Sequence, residues 1–224
     1  MGRLAVRAPV TAEAQHPICR PRFAVKEGMN KREVTVSAVA ANLLALITGL
    51  LPALHLPGLF ALVWGSEQLR QGLDGLFGFG NGQMTALILL FLPGIVVHEL
   101  LHALGWICFG RADPSAIQFG GIWKALTPYA HCKVPLPAGA YRAGTFLPGL
   151  LMGIVPGLLG VLFGNFFLVA VGFLFTFTAG GDYLVLWLLR AVSPQTLVED
   201  HPSKMGAYVF ELGPETAEDD AEAS

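Results

Sequence analysis

Four stretches of this chain are apolar over the length, about 20 residues, that a helix needs to cross a lipid bilayer. They cover residues 37–64, 85–109, 143–163 and 166–189. Only 13% of the 224 residues are charged, roughly half the share found in soluble domains. Helices in a soluble core rarely run this far without a polar face. The sequence therefore predicts a multi-pass integral membrane protein with about four transmembrane helices.

Two features modify this all-α prediction. Pro52 and Pro57 interrupt the first segment, which is either one kinked span or a span followed by a surface piece. Between the second and third segments, residues 116–119 and 122–126 flank Gly120-Gly121, a pattern typical of a short β-hairpin with a Gly-Gly turn. Residues 129–134 could add another strand. The expected fold is an all-α membrane protein with a small cytoplasmic β-hairpin-like loop.

The loop charges predict how the bundle is oriented. Residues 1–34 carry seven Lys or Arg, and the 110–142 loop carries four, whereas the 65–84 loop carries only Arg70. The positive-inside rule therefore places both termini and the 110–142 loop in the cytoplasm. We divide the chain into a basic cytoplasmic segment (1–34), a membrane-embedded domain (35–205) and an acidic tail (206–224) expected to be disordered.

The second apolar segment contains a His-Glu-x-x-His motif formed by His98, Glu99 and His102. On a helix, residues i and i+4 lie on nearly the same face, so the two imidazoles can grip one metal ion. Glu99 lies about 100° further round the helix, where it can act as general base on a water at the metal. The alternative is a structural triplet. Ionisable groups deep in a bilayer are costly and usually functional, which favours the metal site.

A catalytic zinc site needs a third protein ligand and one open position. Asp182 is the only acidic residue in the last two segments. Counted along its segment, it lies at about the same depth as the two histidines, and Gly180-Gly181 before it would allow a close backbone approach. A helix-capping acid at the membrane surface is the alternative reading for Asp182.

Together these residues resemble the intramembrane site-2 protease clan and, more closely, a small bacterial family called the putative zincin peptidases. The likeness covers roughly residues 85–205, including His98–His102, the Gly-Gly-Asp at 180–182 and Asp200-His201-Pro202. The resemblance implies that His98, His102 and Asp182 bind Zn²⁺. It also implies that Glu99 is the catalytic acid/base.

The expected function is hydrolysis of a protein or peptide substrate at or in the membrane by a zinc metalloendopeptidase. A non-catalytic metal carrier or scaffold with the same ligands is the alternative. Two imidazoles and a carboxylate also suit other divalent metals. The lipid bilayer is an expected partner and nucleic acid is not, because the basic residues are scattered. The sequence gives no indication of the oligomeric state.

Overall fold

The structure is a computed structural model that describes residues 8–9, 23, 25, 28–78, 80, 82–122 and 127–212. Most of the described residues are helical. The helices are α1 (Ala38–Trp64), α2 (Ser66–Phe77), α3 (Gln83–Gly110), α4 (Ala138–Pro148), α5 (Val155–Phe163), α6 (Phe166–Thr178) and α7 (Gly180–Leu188). The strands are β1 (Ala8–Pro9), β2 (Met29–Val36), β3 (Ile117–Ile122), β4 (Thr127–Cys132), β5 (Leu136–Pro137), β6 (Leu197–Asp200) and β7 (Met205–Leu212).

The first apolar segment forms a single helix. Ser37 caps its N-terminus, where Oγ accepts a hydrogen bond from Ala40 N at 3.4 Å. Pro52 and Pro57 lie inside α1, which continues to Trp64. Of the two alternatives for this segment, the structure therefore shows one helix and no separate surface piece. The connection to the next span contains α2, whose Arg70 pairs with Glu67 and Asp74 one turn away on either side.

The later segments depart from straight helices. A π-helical stretch, Gly149–Ile154, joins α4 to α5, so that the third candidate span is one helix over Ala138–Phe163. The predicted fourth span is bent: α6 and α7 meet at Ala179 with an angle of 48° between them. Asp182 follows this bend and lies in the first turn of α7, whose axis runs in a different direction from that of α6.

Among the described residues, three helices are long and apolar enough to cross a membrane, and a fourth crossing results if the bent α6–α7 pair counts as one span. The surface of these helices is apolar. On α3, Leu89 is 65% exposed and Leu92 is 59% exposed, and on α1 Leu62 is 82% exposed. Large exposed apolar surfaces are unfavourable in water and normal against lipid. This surface is compatible with a membrane protein.

The prediction of a mostly helical chain is confirmed, but a five-stranded antiparallel sheet that the all-α prediction lacks accompanies the helices, in the order β1-β2-β7-β6-β5. Its central pair joins distant parts of the chain: β2 precedes α1 and β7 follows α7, and they pair over eight residues from Met29↔Leu212 to Val36↔Met205. The buried Val198, Ala207 and Val209 of this sheet pack with residues of α3 and α4 in one core cluster. The sheet therefore lies against the end of the helices that carries the site.

A separate hairpin, β3–β4, confirms the predicted hairpin-like loop but corrects its turn. Gly120 and Gly121 were predicted to form the turn, yet both lie within β3 and pair with Tyr129 and Pro128. Residues 123–126, which lie between the two strands in the sequence, are outside the described part of the chain. The additional strand predicted at 129–134 is instead the second strand of this hairpin, β4, which covers Thr127–Cys132 and leaves residues 133–134 outside it.

The boundary predicted for the acidic tail also needs correction. Residues 206–212 belong to β7, where Ala207, Val209 and Phe210 are buried. Alternating apolar residues pack this strand against the core, which a disordered tail could not do. Residues 213–224 lie outside the described part of the chain, and the prediction for them is untested.

Candidate metal centre

Two helices bring three metal-binding side chains together. His98 and His102 lie one turn apart on α3, and Asp182 lies in the first turn of α7. The Nε2 atom of His98 is 3.0 Å from Asp182 Oδ2, and that of His102 is 3.2 Å from Asp182 Oδ1. His102 is buried, while His98 and Asp182 are partly buried. The site is thus partly accessible at His98 and Asp182.

Asp182 reaches this place because α7 packs closely on α1. A side chain at Gly180 would collide with the carbonyl oxygen of Ala45. Across the same contact, Thr48 Oγ1 donates a hydrogen bond to Gly180 O at 2.6 Å. The glycine before Asp182 therefore permits a close backbone approach, as the sequence predicted.

A backbone carbonyl orients His102. Its Nδ1 atom lies 3.2 Å from Gly144 O on α4. A carbonyl can only accept, so Nδ1 carries a proton, and in the neutral ring Nε2 then has the free lone pair. The carbonyl comes this close because α3 and α4 meet glycine to glycine: a Cβ at Gly105 would lie 2.5 Å from Gly144 Cα. Such a contact to the second nitrogen is typical of histidines that bind metals.

The donor set fits a zinc ion. The ligand atoms of His98, His102 and Asp182 all lie within 4.8 Å of one another. Zinc–ligand bonds are about 2.0–2.2 Å, so neighbouring ligand atoms of a tetrahedral ion are about 3.4 Å apart. The two His–Asp separations of 3.0 and 3.2 Å are close to that value. Two imidazoles and one carboxylate would leave a fourth position for water or substrate.

Glu99 is held by the hairpin. Its Oε2 atom accepts a hydrogen bond from the backbone N–H of Ala130 in β4 at 2.6 Å. No hydrogen bond to Glu99 Oε1 occurs among the described residues. One carboxylate oxygen of Glu99 is thus held by the protein, and the other accepts no hydrogen bond from the described residues.

A second carboxylate, Asp200 at the end of β6, holds the same strand. Its Oδ2 accepts from the backbone N–H of Cys132 at 2.9 Å and lies 3.6 Å from His131 Nδ1. Its Oδ1 accepts a hydrogen bond from the Tyr141 hydroxyl of α4. Burial raises the pKa of the Asp200 carboxyl, and the hydrogen bonds from Tyr141 and Cys132 oppose that rise.

A column of stacked rings connects Asp200 to the metal-binding residues. Tyr141 stacks on Trp106 with ring centroids 5.7 Å apart, and Trp106 stacks on His102 at 5.5 Å. Trp106 Nε1 also donates to Tyr141 O at 3.2 Å. Asp200 therefore contacts both the hairpin that touches Glu99 and the ring column that ends on His102.

The structure places all four residues predicted for the site in one region, with His98, His102 and Asp182 in mutual contact distance and Glu99 beside them. Their roles as ligands and base remain predictions. Sequence analysis missed Ala130, Gly144 and Tyr141, because a backbone atom or an ordinary core tyrosine leaves no motif. Asp200 had a weak signal in Asp200-His201-Pro202. His201 itself accepts from the Ser203 and Lys204 amides in the β6–β7 turn.

Comparison with known proteins supports the resemblance drawn from the motif. Residues 91–197 match the model of a family described as "Putative zincin peptidase". This segment, which is similar to that family, contains the His-Glu-x-x-His motif, the hairpin and Asp182. Searches of curated proteins and of solved structures find no significant match to the chain.

Proposed function

We propose that this protein is a zinc-dependent membrane metallopeptidase of the site-2 protease type. The observation that carries the proposal is the convergence of His98 and His102 on α3 with Asp182 on α7 at ligand spacing. The match of residues 91–197 to the family model supports zinc and peptidase chemistry. The likeness to the site-2 protease clan rests on two positions in the chain. The motif lies on one candidate membrane span, α3, and Asp182 lies on another, α6–α7.

The reaction proposed is hydrolysis of a peptide bond. Zinc held by His98, His102 and Asp182 would activate a water and polarise the scissile carbonyl. Glu99 Oε1 would take the proton of that water and deliver it to the leaving amine. The hydrogen bond from Ala130 to Oε2 keeps the carboxylate aimed while the proton moves. Gly144 O keeps His102 in the tautomer that leaves Nε2 unprotonated.

The site would be approached from the end of the bundle where the sheet and hairpin lie. His102 is eight residues from the end of α3 at Gly110, or about 12 Å along the helix. At this end β4 donates a hydrogen bond to Glu99, and β6 accepts one from β4. A peptide that enters here would meet the hairpin first. We propose that substrates are peptide segments at or just inside this surface of the membrane.

Replacement of Glu99 by Gln tests catalysis separately from metal binding. The amide cannot act as a base, so cleavage of an internally quenched peptide library by the detergent-purified protein should fall to background. The zinc content should stay at that of the wild type because Glu99 is not a proposed ligand. Glu67→Gln on the exposed α2 is the matched control and should cleave normally.

Two outcomes would count against this assignment. Loss of zinc in Glu99→Gln would make Glu99 a ligand and leave no base beside the site. A wild-type protein that binds zinc but cleaves no member of the library would favour the non-catalytic carrier or scaffold.

A further inference from the structure

The outward edge of β4 is occupied by carboxylates. In an antiparallel hairpin, alternate residues of a strand direct their N–H groups away from the partner strand. On β4 these are residues 128, 130 and 132. Pro128 has no amide hydrogen, Ala130 N–H donates to Glu99, and Cys132 N–H donates to Asp200. The edge of β4 is therefore held by two hydrogen bonds, one from Ala130 to Glu99 and one from Cys132 to Asp200.

The two carboxylates that accept these hydrogen bonds lie on different elements. Glu99 belongs to α3 and must change its hydrogen bonds during proton transfer. Asp200 belongs to β6, which pairs with β7 in the larger sheet, and its carboxylate also accepts from Tyr141. The side chain of Asp200 is only 13% exposed. Asp200 is thus held in place by the pairing of β6 with β7 and by the hydrogen bond from Tyr141 of α4.

We propose that Asp200 is a positioning residue for the reaction, which holds β4 so that Ala130 N–H stays in reach of the Glu99 carboxylate. The inference rests on the proposed function and adds to it a residue outside the segment that matches the family. Asp200 touches neither substrate nor metal. Its effect on the orientation of Glu99 is indirect. Asp200 holds Cys132 N–H, and Ala130, two residues earlier in the same strand, holds Glu99.

The first variant to examine is Asp200→Ala. Removal of the carboxylate deletes the hydrogen bond from Cys132 N–H to Asp200, so β4 shifts. The hydrogen bond from Ala130 N–H then no longer orients the Glu99 carboxylate. We expect kcat on the peptide library to fall by about 10- to 100-fold, the usual effect of losing a supporting contact. KM and zinc content should be unchanged. Asp200→Asn should recover most of kcat, because its amide oxygen can still accept from Cys132 N–H. Glu199→Ala, the neighbouring residue on β6, is the matched control.

A double-mutant cycle then tests the route of the effect. Ala130→Pro deletes the N–H that contacts Glu99 but leaves the inward hydrogen bonds of the hairpin in place, and Ala130→Gly keeps the N–H as its control. If Asp200 acts through this amide, Asp200→Ala should cause no further loss of kcat in the Ala130→Pro background. Losses that multiply, or an unchanged kcat in Asp200→Ala, would overturn the inference.

A measurement without substrate separates this inference from the proposed function. Amide hydrogen exchange followed by mass spectrometry should show faster exchange across β4 in Asp200→Ala, with no change in peptides from α1. Unchanged exchange across β4 would overturn the inference even if the enzyme is active. If the wild type cleaves no peptide, the proposed function fails, while faster exchange would still show that Asp200 holds the strand.

Discussion

At the residue scale, two backbone groups hold the reactive side chains. Gly144 O fixes the tautomer of His102, and Ala130 N–H fixes one oxygen of Glu99. Neither group belongs to a motif, because every residue has a carbonyl and nearly every residue has an amide. The spacing of His98, Glu99 and His102 could be predicted from helix geometry alone. The contacts that orient these side chains depend on which elements pack together. That packing cannot be predicted from the motif, because α4 and β4 lie elsewhere in the chain.

Gly144→Ala should damage the site through the helix contact. A Cβ at Gly144 would lie 2.8 Å from Trp106 Nε1 and 2.9 Å from Trp106 N. Overpacking of this kind costs about 1–3 kcal/mol and would move Gly144 O away from His102. We expect a lower Tm and zinc affinity weakened by about 10-fold or more, measured by thermal denaturation and chelator competition.

The control for this variant is Gly58→Ala in α1, where an added Cβ meets no atom within 4 Å. It should leave zinc affinity unchanged. Wild-type zinc affinity in Gly144→Ala would show that the carbonyl contact to His102 does not support the site.

At the element scale, the apolar segments predicted the helices well, since length and hydropathy are local properties. The sheet escaped prediction because its central strands, β2 and β7, are far apart in the chain. β2 reads as part of a basic segment, with Lys31 and Arg32 near its middle. Pairing with β7 over its whole length, where Arg32 lies 2.6 Å from Glu211, makes it a strand. Long-range pairing of this kind has no signature within either segment.

The hairpin provides a test at this scale. Lys133 N donates to Ala116 O at 3.0 Å, so the two ends of the hairpin are adjacent, and a Gly-Gly linker can replace residues 117–132. β4 donates a hydrogen bond to Glu99, and the hydrogen bonds of the described residues join β4 to none of the three proposed ligands. Cleavage of the peptide library should therefore be lost while about one zinc per chain remains, measured by elemental analysis. Normal cleavage by this variant would show that the hairpin has no part in the reaction.

At the scale of the whole molecule, the five-stranded sheet constrains the topology. β2 comes before the first candidate span and β7 after the last, and their pairing puts both on one side of a membrane. β5, which precedes α4, belongs to the same sheet. Two crossings before β5 and two after it satisfy this constraint, with α6 and α7 together as one crossing. The four-span arrangement and the cytoplasmic position of the sheet are thus linked predictions.

Thiol labelling can test both predictions. In a variant whose native cysteines are replaced by serine, single cysteines at Gln71 on α2 and at Ser203 between β6 and β7 report opposite sides. A membrane-impermeant maleimide should label Gln71→Cys in intact cells and Ser203→Cys only after lysis. The reverse pattern would invert the orientation. Labelling of both in intact cells would contradict the four crossings.

The central claim is that His98, His102 and Asp182 bind one zinc ion, and metal content tests it most directly. Elemental analysis of the purified protein should find about one zinc per wild-type chain, and His98→Ala and Asp182→Ala should each lose it. Zinc retained in Asp182→Ala would remove Asp182 from the ligand set. A well-folded wild type that takes up no zinc when the metal is supplied would contradict the account.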